Sequence, residues 1–558
     1  MKKYLIHVFV VALLLVSAAA TAPNVPGKAA IASAHPLATQ AGYEILAAGG
    51  NAFDAAVAVS AALGVVEPYS SGLGGGAFWL LHFADDNRNV FVDAREVAPQ
   101  AATETMYLDE QGEPIKGASL NGPLAAGIPG QAAGLEHLAQ RYGRLPLKQL
   151  LAPAIRLAEG GFPVHPRLLL GLKFRRTTTD RWPALGEVYY PDGELPREGD
   201  VLRQPDLADT LRRFADGGTR DFYRGETAEL LVSGSRDAGG VWTLEDFAAY
   251  RVVEREPLTF EHRGTRIISA PPPSAGGIAI ANMLNILDGY NLDAVDGATR
   301  KHLIVESMRR AFHDRAAYLG DADFVDVPVE RLMNADYAAG QRVSIRRDRA
   351  TPSEMLSVVT DDGPKGNDTT HFSIIDQYGN RVAGTMTVNT WYGSGFMVPG
   401  TGVILNNEMD DFAVKPMTAN NYELVGSCAN AIVAGKRPLS SMSPTFLESD
   451  RGVAIVGTPG GSRIITMVLL ASMEWMNGAT AEEMVALKRF HHQFIPDAIS
   501  FEAGALAEGE QARLEEMGHD VREVRRPFGN MNVVTWDFAT GEVEAATDPR
   551  AKIEGRVY

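Results

Sequence analysis

The chain has 558 residues, of which 45% are hydrophobic and 22% charged, so it is long and apolar enough to bury a large core. Its formal net charge of −17 repels phosphate backbones and excludes the basic surface that nucleic-acid binding needs. Cys428 is the single cysteine, which excludes an internal disulfide and any site built from several cysteine ligands.

The first residues combine two lysines with a short apolar stretch and then small residues, a pattern typical of a secretory signal peptide. We expect cleavage near Ala20 and therefore a periplasmic or secreted protein. The apolar stretch is short for a membrane-spanning helix, and an uncleaved anchor is the alternative. No later stretch of the sequence is long and apolar enough to span a membrane.

The next predicted elements are two helices rich in small residues and a β-hairpin. The helical periodicity that follows His35 is broken by the glycine pair at 49–50, after which a second helix begins. A glycine-rich loop, residues 72–76, leads into AFWLLHF and VFVDA, which the turn-like DDNRN joins into a hairpin ending at Arg95. The loop lacks the lysine of a phosphate-binding P-loop and the full dinucleotide spacing, so we infer no cofactor.

Residues 145–360 are predicted to be mostly helical, with one strand, TRIISA, entering the rigid segment PPPSAGG. After Thr369, strands are predicted in HFSII, RVAGTMTVN, GVILNN, VAIVG and MNVVTWDF, and helices over residues 463–474 and 481–490. The polar stretch before Thr369 separates helix-rich from strand-rich sequence, and we place the main boundary of the chain there.

The sequence TTHFSIIDQYGNRVAGTMTVN predicts a hairpin with Gly379 at its tip. Counting back along both strands places Thr369 opposite Thr387 on the same face, provided that the register does not slip. A threonine hydroxyl needs a base, and the candidates are His371 and the α-amino group, of pKa about 7.7–8.0, that a cut before Thr369 would release. The alternative is that these residues simply begin a strand.

Three further motifs in this half carry polar groups: NNEMDDF, KRPLSSMSPT and GTPGGSR. In GTPGGSR two glycines precede a predicted helix, so their N–H groups and the positive end of the helix can hold a developing oxyanion. Each motif by itself is also typical of a turn or a helix cap. Adjacent His491 and His492 point apart on a regular element, which favours packing over metal binding.

Together these motifs resemble the γ-glutamyltransferase (γ-glutamyl transpeptidase) family of the N-terminal-nucleophile hydrolase superfamily. The resemblance runs from SAHPLATQAGYEILAAGGNAFDAAVA and VVEPYSSGLGGGAF through DAREVAP and DTTHFSI to LNNEMDDF, KRPLSSMSPT and GTPGG. It implies an α+β fold, a four-layer αββα sandwich formed by two subunits of one self-cleaved precursor. The cut falls between Asp368 and Thr369, giving a signal peptide (1–20), a large subunit (21–368) and a small catalytic subunit (369–558).

By the same resemblance, Thr369 attacks the γ-carbonyl of a donor such as glutathione, and water or an amino-acid or peptide amine resolves the γ-glutamyl ester. Thr387 supports the nucleophile, and Gly460 and Gly461 form the oxyanion hole. The expected substrate-binding residues are Arg95, Ser440 and Ser441 for the α-carboxylate, Asn389, Glu408 and Asp411 for the α-ammonium, and Tyr422 in a lid loop. No metal ligand set is predicted.

Two alternatives remain at this point. The nearest is a related acylase acting on glutaryl or cephalosporin-type substrates, although a glutaryl group has no ammonium to satisfy Asp411. The other is a non-catalytic periplasmic protein that binds glutathione. That protein would consist of one intact chain, and the pairing of Thr369 with Thr387 would have no purpose in it.

Overall fold

The computed structural model describes residues 25–356, 369–415, 418–551 and 556–557. The predicted signal peptide (1–20) and Asp368 on the predicted cut lie outside these ranges. Within the described ranges, every helix is either too short or too polar to cross a bilayer.

Two large antiparallel sheets dominate the described part of the chain. The first sheet has seven strands, in the spatial order Arg556–Val557, Ala30–Ser33, Thr370–Ile375, Arg381–Thr387, Gly76–Phe83, Arg88–Ala94 and Val253–Arg255. The second has six, in the order Val543–Thr547, Asn532–Asp537, Gly452–Gly457, Thr445–Ser449, Thr265–Ser269 and Leu258–His262. Two small sheets consist of Phe490–His491, Ile499–Phe501 and Val521–Glu523, and of Phe162–Pro163 with Val201–Leu202.

The α-helices of the described residues fall into a longer run before residue 369 and a shorter set after it. The first run is Pro36–Ala47, Ala52–Val66, Gln131–Arg141, Leu147–Gly160, Pro166–Thr179, Pro183–Tyr189, Pro205–Arg224, Glu226–Asp237, Leu244–Ala249, Gly276–Leu287, Gly297–Tyr318, Val329–Leu332 and Ala335–Val343. The later helices are Arg463–Met476, Ala481–Ala486 and Glu510–Glu516. Short 3₁₀ turns include Glu408–Asp411 and Cys428–Asn430.

The strands of the first sheet alternate between two apolar environments, as a period of two residues requires. Trp79 and Leu81 belong to the core formed with the helices Pro36–Ala47 and Ala52–Val66. Phe78 and Leu80 belong to a second core that includes the second sheet. The first sheet is therefore buried on both faces, with helices on one side and the other sheet on the other.

Three sequence predictions about elements were wrong. The segment 481–490 is helical only to Ala486, and Phe490–His491 is a short strand. GVILNN joins neither large sheet: Leu405 donates its N–H to the carbonyl of Phe396, so this segment pairs locally. The middle of the chain also contributes two unpredicted strands. Val253–Arg255 pairs with the distant strand Arg88–Ala94, and Leu258–His262 forms a hairpin with its neighbour Thr265–Ser269.

Candidate active site

The hairpin that follows residue 369 has the predicted register. Asp376 donates its N–H to the carbonyl of Asn380 at 3.0 Å, and Gly379 at the tip has a φ of 94°, which glycine adopts without strain. Met386 pairs with Thr370, so the next position brings Thr387 opposite Thr369. Their Oγ1 atoms lie 3.3 Å apart.

Thr369 lies at the start of a strand whose alternate residues point into the space between the two large sheets. On the same face, Ser373 donates its hydroxyl to the carbonyls of Ile455 and Asn532 in the second sheet. His371 contacts Thr385 Oγ1 at 2.8 Å and Ser373 Oγ at 3.2 Å, and burial lowers its pKa to about 3. The imidazole is therefore neutral and bonded to hydroxyls other than that of Thr369.

A cleft of about 310 Å³, including the space open to solvent, brings most of the predicted site residues together. Its lining includes Arg95, Thr369, Thr387, Asn389, Glu408, Asp411, Tyr422, Ser440, Ser441 and Gly461. Gly460 directly precedes this lining without being part of it, and Asp368 lies outside the described residues. Residues separated by several hundred positions thus meet around the Thr369 hydroxyl.

Arg95 is the central cation of the cleft. It follows the strand Arg88–Ala94 directly, and its side chain is buried. Its Nη1 donates to Glu408, its Nη2 donates to Asp411 Oδ2 at 2.6 Å, and its Nε donates to the carbonyl of Pro438 at 3.3 Å. Burial opposes the positive charge of Arg95, but the nearby carboxylates outweigh it and raise the arginine pKa.

The carboxylates around Arg95 hold their protons more tightly than carboxylates in water. Burial raises the pKa of Glu408 and of Asp411, and Arg95 offsets part of the rise. Burial also raises the pKa of Glu96, whose Oε2 lies 3.7 Å from Arg95 Nη1, to about 8. The cluster is thus able to bind a cation or to share a proton, as expected for buried groups of like charge.

Neutral polar groups complete the wall beside this cluster. Asn389 has a φ of 74°, donates its N–H to Thr387 Oγ1 at 2.8 Å, and donates its Nδ2 to the carbonyl of Asn407 at 2.9 Å. Ser440 donates its N–H to the carbonyl of Pro273, so the predicted rigid segment PPPSAGG supports the serine pair. Ser441 Oγ has no hydrogen-bond partner among the described residues.

Gly460 and Gly461 form the turn between the strand Gly452–Gly457 and the helix Arg463–Met476, with φ values of 147° and 58°. Both values lie where glycine is favoured over other residues. A Cβ atom at Gly461 would lie 2.4 Å from the ring of Tyr422. The turn therefore needs glycine both for its backbone and for the close approach of the tyrosine.

Tyr422 lies in the segment 415–436, which the family resemblance predicts to be a lid loop; residues 416 and 417 lie outside the described residues. Its hydroxyl donates to the carbonyl of Asn389, and its own carbonyl accepts from Gln493 Nε2 at 2.9 Å. The same loop is tied down where Asn421 donates its N–H to Asp410 Oδ2 at 2.9 Å. Hydrogen bonds of its hydroxyl and of its main-chain carbonyl therefore hold Tyr422 at the wall of the cleft.

Sequence reasoning missed five residues that line the cleft: Arg315, Leu424, Met442, Ser462 and Ile464. Arg315 is the charged one among them, and its side chain is only 5% exposed. It lies within an ordinary helical pattern, where nothing distinguishes it from a surface arginine. Only a test for buried charge, which needs coordinates, could have found it.

Other candidate residues belong to different environments. His491 hydrogen-bonds Thr466 and Gln493, whereas His492 bonds Asp497 and the N–H of Phe494. The two imidazoles therefore have separate partners in the core, as the packing interpretation expects. Cys428 is exposed and does not line the cleft.

Comparison with known proteins places these features in a family. The chain matches a family model described as Gamma-glutamyltranspeptidase over residues 38–558. It is 43% identical to a glutathione hydrolase proenzyme from Pseudomonas sp. (strain A14), over 91% of this chain and 89% of the relative.

Two solved structures show the same relationship. A cephalosporin acylase from Bacillus halodurans is 30% identical with a TM-score of 0.82, and the match covers 95% of each chain. A gamma-glutamyltranspeptidase from Helicobacter pylori is 41% identical with a TM-score of 0.56, and covers 58% of this chain and 93% of its own. The mixed α/β architecture with antiparallel sheets is thus shared with structures of this kind.

Proposed function

The chain belongs to the gamma-glutamyltranspeptidase family, and we propose that it is a self-processing γ-glutamyltransferase and glutathione hydrolase. The observation that carries the proposal is the position of Thr369. Its hydroxyl lies 3.3 Å from that of Thr387, at the start of a strand and in a cleft lined by both positive and negative side chains.

The reaction begins with the precursor. Cleavage of the Asp368–Thr369 bond gives Thr369 a free α-amino group, which can accept the hydroxyl proton within the same residue. The Thr369 oxygen then attacks the γ-carbonyl of the donor, the ester bond forms, and the amide C–N bond breaks as the proton passes to the leaving amine. Water or an amino-acid or peptide amine attacks the ester in turn, releasing glutamate or a new γ-glutamyl amide.

The charges in the cleft fit the zwitterionic end of a γ-glutamyl group. We assign Arg95, Ser440 and Ser441 to the α-carboxylate, and Asn389, Glu408 and Asp411 to the α-ammonium. The N–H groups of Gly460 and Gly461 are assigned to the oxyanion. Arg95 is held between Glu408 and Asp411, so a zwitterion entering the cleft meets both signs of charge within one side-chain length.

A glutaryl or cephalosporin acylase is the second candidate, because the Bacillus halodurans cephalosporin acylase has the same fold over 95% of both chains. The buried carboxylates of Glu408 and Asp411 favour the glutamyl donor, since a glutaryl group offers them no ammonium. Purified enzyme is expected to cleave a γ-glutamyl anilide faster than the glutaryl anilide. A preference for the glutaryl compound would replace the first candidate by the second.

We further propose a four-layer αββα sandwich shared by a large subunit (21–368) and a small subunit (369–558). The strand Ala30–Ser33 pairs with Thr370–Ile375, and Thr265–Ser269 pairs with Thr445–Ser449, which supports joint folding of the two parts. The Helicobacter pylori match, with nearly all of that chain covering 58% of this one, is what a processed relative would give. The signal-peptide-like start supports export to the periplasm or the medium.

The direct test compares the wild type with Thr369→Ala and Thr369→Ser on a denaturing gel, with sequencing of every amino terminus. The wild type should give two fragments, one beginning Thr369-Thr370-His371, and should hydrolyse glutathione and a γ-glutamyl anilide. Thr369→Ala should stay uncut and inactive, whereas Thr369→Ser keeps a hydroxyl and should retain part of both activities. Normal cleavage of Thr369→Ala would refute the assignment.

A further inference from the structure

Arg315 lies near the end of the helix Gly297–Tyr318, and its side chain reaches the cleft that contains Thr369. The residue is 5% exposed, and the charges that influence its pKa are those of Asp411 and Arg95. Burial is the main influence on the pKa of Arg315 and lowers this pKa to about 10. The guanidinium therefore remains charged at neutral pH.

The hydrogen bonding of Arg315 differs from that of its neighbours on the same helix. Arg309 and Arg310 both bond Glu306, at 3.3 Å and 2.7 Å, and Arg309 also donates to Ser353. Arg315 Nε is buried with no hydrogen-bond partner among the described residues. A buried guanidinium N–H without a partner costs free energy unless a ligand accepts its hydrogen bond.

The guanidinium of Arg95, by contrast, has hydrogen-bond partners within the protein. Each of its three nitrogens donates within the protein, to Glu408, Asp411 and the carbonyl of Pro438. A carboxylate entering the cleft therefore meets one guanidinium already bonded to carboxylates and a second one, Arg315, that is not. Ser441 Oγ lines the same cleft and is also without a partner among the described residues.

We propose that Arg315 is a specificity residue that binds the α-carboxylate of the donor, together with Ser441, and so shares this carboxylate with Arg95. The inference rests on the proposed γ-glutamyl function and deepens it. A zwitterionic donor brings one charge of each sign, so its binding leaves the net charge of the cleft unchanged. Loss of Arg315 removes a contact made only by donors that carry the α-carboxylate.

The test compares a γ-glutamyl anilide with its α-carboxamide analogue, which keeps the ammonium and lacks the carboxylate. In Arg315→Gln, kcat/KM for the γ-glutamyl anilide should fall about 10- to 100-fold, while kcat/KM for the carboxamide changes less than about two-fold. The ratio of kcat/KM for the γ-glutamyl anilide to kcat/KM for the carboxamide should therefore be much lower in the variant than in the wild type. If the carboxamide is cleaved too slowly, its inhibition constant against the γ-glutamyl anilide gives the same comparison.

Two further variants control for folding and for charge. Arg300→Gln, on the same helix but outside the cleft lining, should leave both donors unchanged. Arg315→Lys keeps the charge but not the planar fork, and an intermediate ratio is expected. If Arg315→Gln is not cleaved before Thr369, the comparison of the two donors is made with Arg315→Lys alone.

Equal losses for both donors in these variants would overturn the inference, because they would mean that Arg315 acts through Asp411 or through the fold. That result leaves the proposed function standing as long as the wild type cleaves the γ-glutamyl anilide. A wild-type enzyme that is correctly cut and cleaves neither donor would instead refute the proposed function, and the inference with it.

Discussion

Thr387 is the residue on which the geometry around Thr369 depends most directly. Its Oγ1 lies 3.3 Å from Thr369 Oγ1 and accepts the N–H of Asn389 at 2.8 Å. One hydroxyl therefore connects the proposed nucleophile to a proposed ligand of the donor ammonium.

Thr387→Val keeps the shape of the side chain and removes this hydroxyl. We expect kcat for a γ-glutamyl anilide to fall about ten-fold, because the N–H of Asn389 loses its acceptor and Thr369 loses a neighbouring hydroxyl. Steady-state kinetics on fully cut protein measure the change. Thr387→Ser is the matched control and should stay close to wild type; a loss as large as that of the valine variant would mean that the methyl group, not the hydroxyl, matters.

Asp410 is expected to make the stability of the protein depend on pH. It is buried and accepts hydrogen bonds from Ser119 Oγ at 2.7 Å and from the N–H of Asn421 at 2.9 Å. Burial raises its pKa to about 7, and the hydrogen bonds offset only part of this effect. Between the ordinary value of 3.8 and about 7, the folded protein therefore binds more proton than the unfolded chain, and stability falls as pH rises through this range.

Asp410→Asn removes this titration while retaining a hydrogen-bonding group of the same shape. The free energy of unfolding of the variant relative to wild type should rise between about pH 4 and pH 7 and level off above, for a total gain on the order of a few kcal/mol. The difference in melting temperature should follow the same course. Melting curves of both proteins across this range measure it. A difference that stays constant with pH would show that Asp410 is ionised throughout.

At the scale of the element, the backbone of the glycine-rich loop before the strand Gly76–Phe83 packs closely against the backbone of two later segments. A Cβ atom on Gly74 would lie 2.0 Å from the carbonyl oxygen of Ile404, and one on Gly75 would lie 2.1 Å from that of Thr387. Carbon atoms do not approach a carbonyl oxygen this closely, so even an alanine at either position would displace the backbone segment that it contacts. The loop therefore positions the end of the strand that carries Thr387.

Gly75→Ala is expected to push this strand end away from Thr369 and to lower both kcat and the melting temperature, at a cost of about 1–3 kcal/mol. Kinetics and thermal unfolding of the processed protein measure the two effects. Gly160→Ala is the matched control, since its Cβ would meet open space at the end of a helix and should be neutral or slightly stabilising. Equal effects of the two substitutions would contradict this account of the loop.

At the scale of the whole molecule, the two sides of residue 369 are interleaved within the sheets. The strand Ala30–Ser33 lies between Arg556–Val557 and Thr370–Ile375, and so has later strands on both sides. In the second sheet, Thr265–Ser269 pairs with Thr445–Ser449. Separating the proposed subunits would break these ladders and open the core between the sheets.

The processed protein should therefore elute as one species near the mass of the intact chain in native size-exclusion chromatography, while the same sample gives two bands on a denaturing gel. Denaturant should separate the fragments only in the transition that also abolishes activity. Two species under native conditions at full activity would contradict joint folding.

The sequence by itself determined the local features of the site. Turn chemistry at Gly379 and the period of a strand were enough to pair Thr369 with Thr387, and the hairpin ending at Arg95 followed from the same rules. These predictions succeeded because hydrogen bonds between sequence neighbours depend on few residues. The motifs around Glu408, Ser440 and Gly461 were visible in the sequence, and the helix after Gly461 indicated an oxyanion site. The substrate-binding roles of Glu408 and Ser440 came from the family resemblance, and the convergence of these motifs on one cleft was not derivable from pattern.

Only the tertiary structure decided which charges are buried together and which backbones touch. The pKa of Glu96, the engagement of Arg95, the unbonded Nε of Arg315 and the contact of Gly75 with Thr387 all depend on through-space distances and on loss of water. Neither quantity has a signature in local sequence, because desolvation and Coulomb interaction act between groups that lie hundreds of residues apart, as Arg95 and Asp411 do. The strand Val253–Arg255 was missed for the same reason, since it pairs with the distant strand Arg88–Ala94.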